Sequence, residues 1–105
     1  MNAPKQERIL CAAVYYDDGK KRIHKPRNIE TGIVVTGLRH CNCFETLAEI
    51  FTKREYVSGG LSKQGFLTSA NRFVNRVEAG IIALKANQIN KPFREGTELY
   101  SEDLY

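Results

Sequence analysis

The sequence has few cysteines, a single methionine and no long apolar run. Cys11, Cys41 and Cys43 are its three cysteines, and an odd number with one C-x-C pair does not form a disulfide framework. Unpaired thiols are typical of a reducing compartment. No apolar run approaches the ~18–20 residues that span a membrane. Residues 1–10 are polar before any apolar stretch, unlike a signal peptide. We therefore expect a cytosolic protein without a membrane segment.

The sequence also lacks the common enzyme motifs: G-x-G-x-x-G, the P-loop, G-x-S-x-G and H-E-x-x-H. His40, Cys41 and Cys43 could form a zinc cluster or a nucleophile–base pair. A fourth zinc ligand at the usual spacing and an orienting third group are both missing, however. Cys43 is expected to have a lowered pKa, because a helix N-terminus is predicted beside it. We expect no catalysis, no metal and no cofactor.

Positive charge is concentrated in the first nine-tenths of the chain. The sequence has 16 basic and 12 acidic residues, a net charge of +4. Residues 95–105 contain four acids and no base, so residues 1–94 carry 16 minus 8, or +8. A basic body suits an anionic partner such as a phosphate or a nucleic acid, and charge alone does not choose between them.

Apolar patterning predicts strands near the N-terminus. Residues 8–16 form a short apolar run that is typical of a buried strand. The following D-D-G-K, residues 17–20, predicts a hairpin turn. Residues 32–38 are rich in β-branched side chains and predict a second strand. Residues 65–74 predict a short hairpin that turns at residues 69–71.

Two helices are predicted from their N-terminal caps. Asn42 and Glu45 form a capping-box pattern, and Asn75 and Glu78 repeat it before a helix that runs to about Asn87. The first helix carries an apolar face made of Phe44, Leu47, Ile50 and Phe51.

Strands with interspersed helices, and no regular βαβ alternation, predict an α+β fold. We expect a small antiparallel β-sheet with two main α-helices packed on it, in one domain of residues 1–105. Gly80 costs the second helix roughly 1 kcal/mol relative to alanine. Its presence predicts that another backbone passes close by, in the core or across a subunit contact.

Two places combine arginine with a predicted helix N-terminus. Arg39, in T-G-L-R-H, could bind phosphate together with the free amides of the first helix. The alternative is that Arg39 pairs with a carboxylate of the acidic tail. Four polar residues lie at the entrance to the second helix: Thr68, Arg72, Asn75 and Arg76. With Phe66 and Phe73 beside them, they could bind the pyrophosphate and base of a nucleotide. The alternative here is that the phenylalanines are core and the arginines are solvated.

Residues 20–27, K-K-R-I-H-K-P-R, contain five basic residues in eight. Such a run is either a solvated hairpin or a nucleic-acid contact. It has no interleaved aromatic residues that would stack on bases.

Five short motifs follow one another along the chain: C-A-A-V-Y-Y, T-G-L-R-H, G-F-L-T-S-A-N-R-F-V-N-R-V-E-A, A-L-K-A-N-Q-I and Y-S-E-D-L-Y. Their order covers nearly the whole chain and resembles the phage Thoeris anti-defence sponge family of the first type. Cys43 and residues 20–27 are not features of that whole family.

This resemblance implies sequestration without cleavage. The ligand would be a cyclic ADP-ribose isomer, glycocyclic ADP-ribose, that TIR-domain enzymes make. Some similar proteins also hold cyclic oligonucleotides of CBASS defence. The resemblance implies a homo-oligomer, a dimer or a hexamer built from dimers, in the host cytoplasm. It assigns pocket roles to Arg39, Phe66, Thr68, Asn75 and Arg76, with Arg72 beside them. The alternative is a small phage nucleic-acid-binding or regulatory protein that uses the basic hairpin 20–27.

Overall fold

The computed structural model describes residues 6–51 and 62–105, which form one antiparallel sheet and two α-helices. The sheet has the strand order β2-β1-β3-β4. The elements are β1 (Ile9–Lys21), β2 (Thr31–Gly37), α1 (His40–Ile50), β3 (Ser62–Thr68), β4 (Phe73–Asn75), α2 (Arg76–Lys85) and a final 3₁₀ turn (Ser101–Asp103). The predicted α+β fold is confirmed. In the described part of the chain, no helix is long and apolar enough to cross a membrane.

The core lies between the helices and one face of the sheet. Alternate residues of β1 enter it, including Ala12 and Val14, which are fully buried. α1 packs over β2 and β1, and α2 packs over β3 and β4. Leu47 is the fully buried anchor of α1, and burying a side chain of this size contributes about 1.5–3 kcal/mol.

The turn predicted at residues 17–20 is wrong. These residues lie inside β1, whose pairing with β2 is irregular between Tyr16 and Lys21. The carboxylates of Asp17 and Asp18 accept hydrogen bonds from the amides of Gly19 and Lys20, and Gly19 has a φ of +78°. The aspartates therefore stabilise a local bend in the strand. The chain reverses later, between β1 and β2.

The hairpin predicted at residues 69–71 is confirmed as the connection between β3 and β4. The amide of Thr68 donates to the carbonyl of Arg72 over 2.9 Å, and Asn71 adopts a φ of 57°. Asparagine tolerates this left-handed conformation better than most residues.

The two helix caps differ in their agreement with the sequence. Asn75 caps α2 as predicted, because its Oδ1 accepts a 2.8 Å hydrogen bond from the amide of Glu78. The cap predicted at Asn42 is wrong. α1 begins at His40, three residues earlier than predicted, and is capped by Arg39, whose amide donates to the side chain of Asn42. Ile50 of the predicted apolar face is 51% exposed, since α1 ends there.

The close neighbours of Gly80 belong to its own chain. A Cβ at this position would lie 2.9 Å from the Phe93 ring and 3.1 Å from the carbonyl oxygen of Thr97. The segment that follows α2 therefore packs directly on the helix backbone. The close approach predicted from this glycine is explained within one chain and gives no support to a subunit contact.

Candidate functional site

Arg39 contacts the end of the described chain. Its guanidinium donates to the main-chain oxygen of Tyr105 over 2.7 Å and to the Ser101 hydroxyl over 3.0 Å. It also lies over the Tyr105 ring, 4.9 Å from the centroid. The Glu102 carboxylate is 3.9 Å away, and its side chain is 65% exposed. Such an exposed ion pair is weak. The alternative, that Arg39 contacts the acidic tail, fits these bonds.

Arg76 makes a parallel set of contacts at the start of α2. Its guanidinium donates to the carbonyl of Leu99 over 2.8 Å and to the side-chain oxygen of Gln64. It lies 4.6 Å from the centroid of the Tyr100 ring. No ion pair within 4 Å involves Arg76 among residues 6–51 and 62–105.

Both arginines therefore converge on the segment that follows residue 98. Leu99 and Ser101 are buried and fix its backbone, whereas the Tyr100 and Tyr105 side chains remain 48% and 42% exposed. We call Arg39, Arg76, Tyr100 and Tyr105 the two-arginine site. Each arginine also lies at a helix N-terminus, where free amides and the helix dipole favour an anion.

His40 follows Arg39 in the chain and lies within reach of the charge of Arg76. Its Nε2 is 2.7 Å from the carbonyl oxygen of Gly65, so this nitrogen carries the proton. Its ring makes an edge contact with Phe66. Burial lowers the pKa of His40, and the charge of Arg76 lowers it further. His40 is therefore a neutral, fixed donor in this position.

Arg72 and Thr68 belong to a different cluster. The Arg72 guanidinium binds both oxygens of the Glu7 carboxylate at 2.9 Å and also contacts Glu78 at 3.3 Å. The Thr68 hydroxyl donates to the same Glu7 carboxylate. The hydrogen bond from Arg72 lowers the pKa of Glu7. This pairing compensates the charge of Arg72, which distinguishes it from Arg76.

The two phenylalanines predicted to offer a ring to the ligand, Phe66 and Phe73, are not both accessible. Phe66 is fully buried beneath His40, so the alternative reading of this residue as core is correct. Phe73 is partly buried, and its ring packs on Tyr15 with centroids 5.6 Å apart. The exposed rings beside the arginines are instead Tyr100 and Tyr105. The motif Y-S-E-D-L-Y contains both tyrosines, and it was the signal that could have assigned them to the site.

Several basic residues of segment 20–27 are bonded inside the chain. The guanidinium of Arg22 forms a bidentate salt bridge with the two carboxylate oxygens of Asp18, at 2.7 and 2.9 Å. This salt bridge holds the pKa of Asp18 at about 2. Lys25 donates to the carbonyl of Ile29, and Arg27 donates to that of Ala70. A concave site of about 400 Å³ lies between this segment and the sheet.

The cysteines do not form a reactive site. Cys43 is fully buried, and burial raises the pKa of its thiol to about 11, so the lowered pKa predicted for it is wrong. Cys41 is exposed on α1. No three His, Cys, Asp or Glu side chains are grouped to hold a metal ion in the part of the chain that the structure describes.

Comparison with known proteins identifies a family. No curated protein and no solved structure matches the chain significantly. A family model described as the phage T4 y16D protein matches residues 8–105, which include every residue of the two-arginine site. The chain therefore belongs to the phage T4 y16D protein family.

Proposed function

We propose that this phage protein is an anti-defence sponge. It binds cyclic ADP-ribose isomers that TIR-domain enzymes make, glycocyclic ADP-ribose above all, and holds them without cleavage, which inhibits Thoeris defence. The observation that carries the proposal is the two-arginine site. Each of its guanidinium groups lies beside a half-exposed tyrosine ring, and that of Arg76 is bonded to neutral oxygens.

The chemistry of the site suits a pyrophosphate joined to a base. Arg39 and Arg76 each supply a planar donor group, and charge-assisted hydrogen bonds to phosphate are roughly twice as strong as neutral ones. A phosphate oxygen can therefore replace the Leu99 carbonyl as a partner of Arg76, and the Ser101 hydroxyl as a partner of Arg39. Tyr100 and Tyr105 supply half-exposed rings, and an adenine can stack on the face that the guanidinium does not cover.

The side chains around the site favour holding a ligand over cleaving it. The protonated nitrogen of His40 donates a hydrogen bond to the Gly65 carbonyl. The Cys43 thiol is buried and protonated at neutral pH. Neither group is placed to act as a base or nucleophile beside the two-arginine site. In this proposal the protein is not an enzyme and acts in the host cytoplasm, where the signal is made.

Release of the bound molecule tests this proposal. The protein is incubated with the product of a TIR-domain enzyme, separated from free ligand, and denatured by heat. Mass spectrometry of the supernatant should show the unaltered cyclic ADP-ribose isomer. A ring-opened product would show an enzyme, and the absence of any released nucleotide would contradict the proposal. The same procedure with cyclic oligonucleotides tests whether CBASS signals are held as well.

The alternative function, nucleic-acid binding by residues 20–27, has less support. Arg22, Lys25 and Arg27 are all engaged by oxygens of the same chain. Contacts to a nucleic-acid backbone make binding steeply dependent on salt. Tight, salt-sensitive retardation of DNA or RNA in a gel-shift series would favour this alternative over the sponge.

A further inference from the structure

The concave site beside segment 20–27 lies on the face of the sheet opposite the helices. Successive residues of a strand point to opposite faces of a sheet. Val35 and Phe66 belong to the core beneath the helices, so their neighbours Thr36 and Leu67 face the other way. Thr36 and Leu67 both line the site of about 400 Å³. No residue of the two-arginine site takes part in it, so it is a separate place on the molecule.

The connection between β1 and β2 crosses this second face and is fixed to the hairpin between β3 and β4. The amide of Arg27 donates to the carbonyl of Asn71 over 2.8 Å, and its guanidinium donates to that of Ala70. The side chain of Asn28 accepts a hydrogen bond from the amide of Phe73 over 2.8 Å and donates to its carbonyl over 2.7 Å. These bonds hold one wall of the site in place before any ligand binds, which lowers the cost of binding.

The lining combines an apolar surface with basic side chains. Four of its members are apolar: Ile23, Pro26, Val34 and Leu67. His24 and Lys25 are the basic members, and none of the described residues that line the site is acidic. None of them is Phe, Tyr or Trp either, so a nucleobase would find no such ring to stack on. This composition suits an anion with a hydrocarbon body.

The two basic side chains keep donors available for such an anion. The Nζ of Lys25 donates to the carbonyl of Ile29, and an ammonium group has two further N–H donors. The ring of His24 makes no hydrogen bond or ion pair with residues 6–51 or 62–105. A carboxylate can therefore contact both side chains without breaking a bond that fixes segment 20–27.

We infer that this site binds a small amphipathic acid, an aliphatic carboxylate of medium chain length. Its carboxylate pairs with Lys25 and His24, and its hydrocarbon part packs on Val34 and Leu67. The net charge of +4 favours an anion over a cation. The volume of about 400 Å³ is near the lower end of the range for small-molecule sites. This inference does not rest on the proposed function.

Three ligands with the same hydrocarbon chain and different head groups test the inference. Titration calorimetry with decanoate, decanol and decyltrimethylammonium, each below the concentration at which micelles form, isolates the effect of the head group. Decanoate should bind as one molecule per chain and about tenfold or more tightly than decanol, because a charge-assisted hydrogen bond contributes at least that factor. Decyltrimethylammonium should bind more weakly than decanol. Equal affinities for the three ligands, or no binding of decanoate, would overturn the inference.

Two sets of variants locate the bound acid. Thr36→Trp fills the site and should abolish decanoate binding, whereas Thr46→Trp makes the same change on the exposed surface of α1 and should not affect it. Lys25→Met should reduce the affinity for decanoate to that for decanol, and Lys25→Arg should restore the difference. Lys20→Met removes the same charge from an exposed position of β1 and should have no effect.

The affinity for decanol separates a lost charge from a disturbed site. Lys25→Met should bind decanol as the wild type does, because the apolar surface remains. Nuclear magnetic resonance of the wild-type backbone amides gives a readout without variants. Decanoate should shift the signals of Thr36 and Leu67, which lie in different strands of the same face. Shifts confined to residues outside the lining, or full decanoate binding by Thr36→Trp, would overturn the inference.

Discussion

The guanidinium of Arg76 lies over the ring of Tyr100, 4.6 Å from its centroid, and Arg39 has the same relationship to Tyr105 at 4.9 Å. A cation over an aromatic face contributes about 0.5–1 kcal/mol at an exposed position. The contact orients each guanidinium without neutralising it. Arg72 differs, because a carboxylate pairs closely with it. Orientation by a half-exposed tyrosine ring at a helix N-terminus is what makes Arg39 and Arg76 candidates for binding an anion.

We expect Arg39→Ala and Arg76→Ala each to weaken binding of glycocyclic ADP-ribose. Loss of a charge-assisted hydrogen bond costs about 1.5–3 kcal/mol, which corresponds to a roughly ten- to hundredfold rise in Kd. Titration calorimetry measures this change. Arg27→Ala is the control, because it removes the same charge from an exposed residue outside the site. Equal loss in all three variants would indicate a general charge effect and contradict a specific site.

Arg72→Ala should lower stability and leave binding nearly unchanged. The substitution leaves the Glu7 carboxylate without its main partner, which costs about 1–3 kcal/mol. In a domain of this size each kcal/mol corresponds to roughly 4–8 °C in melting temperature. Thermal denaturation and calorimetry of one sample separate the two effects. If Arg72→Ala melted normally but lost its ligand, Arg72 would belong to the binding site after all.

Asn75 lets capping and binding be separated. Its Oδ1 caps α2, while its amide group makes no hydrogen bond to residues 6–51 or 62–105 and can donate to a ligand. Asn75→Asp keeps the cap and favours the helix dipole, but it places a negative charge near an anionic ligand. We expect an unchanged melting temperature and at least a tenfold loss of binding. Asn75→Ala, which removes the cap, should cost about 1 kcal/mol of stability. Full binding by a well-folded Asn75→Asp would leave Asn75 as a cap alone.

The salt bridge between Asp18 and Arg22 should make the free energy of unfolding depend on pH in the acidic range. The Arg22 guanidinium holds the pKa of Asp18 at about 2, below its ordinary 3.8. Because the folded pKa is the lower one, this contribution is complete above pH 3.8 and disappears as pH falls through about 2. Asp18→Asn should therefore melt lower than wild type at pH 6, by about 1 kcal/mol of stability. The difference should be strongly reduced at pH 2 and vanish below it. A difference at pH 2 as large as that at pH 6 would assign the effect to something other than this charge.

Local patterns predicted much of the fold. The cap at Asn75 depends on residues three positions apart, and the hairpin at residues 69–71 depends on one short segment, so both could be derived from sequence. The D-D-G-K segment misled the prediction because Asp-Gly suits both a hairpin turn and a bend within a strand. Only the long-range pairing of β1 with β2 decides between them.

The candidate site was harder to predict, because its geometry depends on contacts between residues that are far apart in the sequence. Arg39 and Arg76 stood out in the sequence because each precedes or begins a helix. Their tyrosine partners come from a segment that is 24 or more residues away, and no local pattern specifies such a contact. The same limit explains the error over Phe66. Its burial depends on β1 and His40, which the motif around it does not contain.

The central claim, that Arg39 and Arg76 together bind the ligand, is tested most directly by nuclear magnetic resonance of the arginine side chains. Each guanidinium Nε–H group gives its own signal, which shifts when a phosphate becomes its partner. Titration with glycocyclic ADP-ribose should shift the Nε–H signals of Arg39 and Arg76 together and to saturation. The signals of Arg22 and Arg72, which are paired with carboxylates, should stay in place. Shifts confined to residues 20–27, with Arg39 and Arg76 unmoved, would contradict the account.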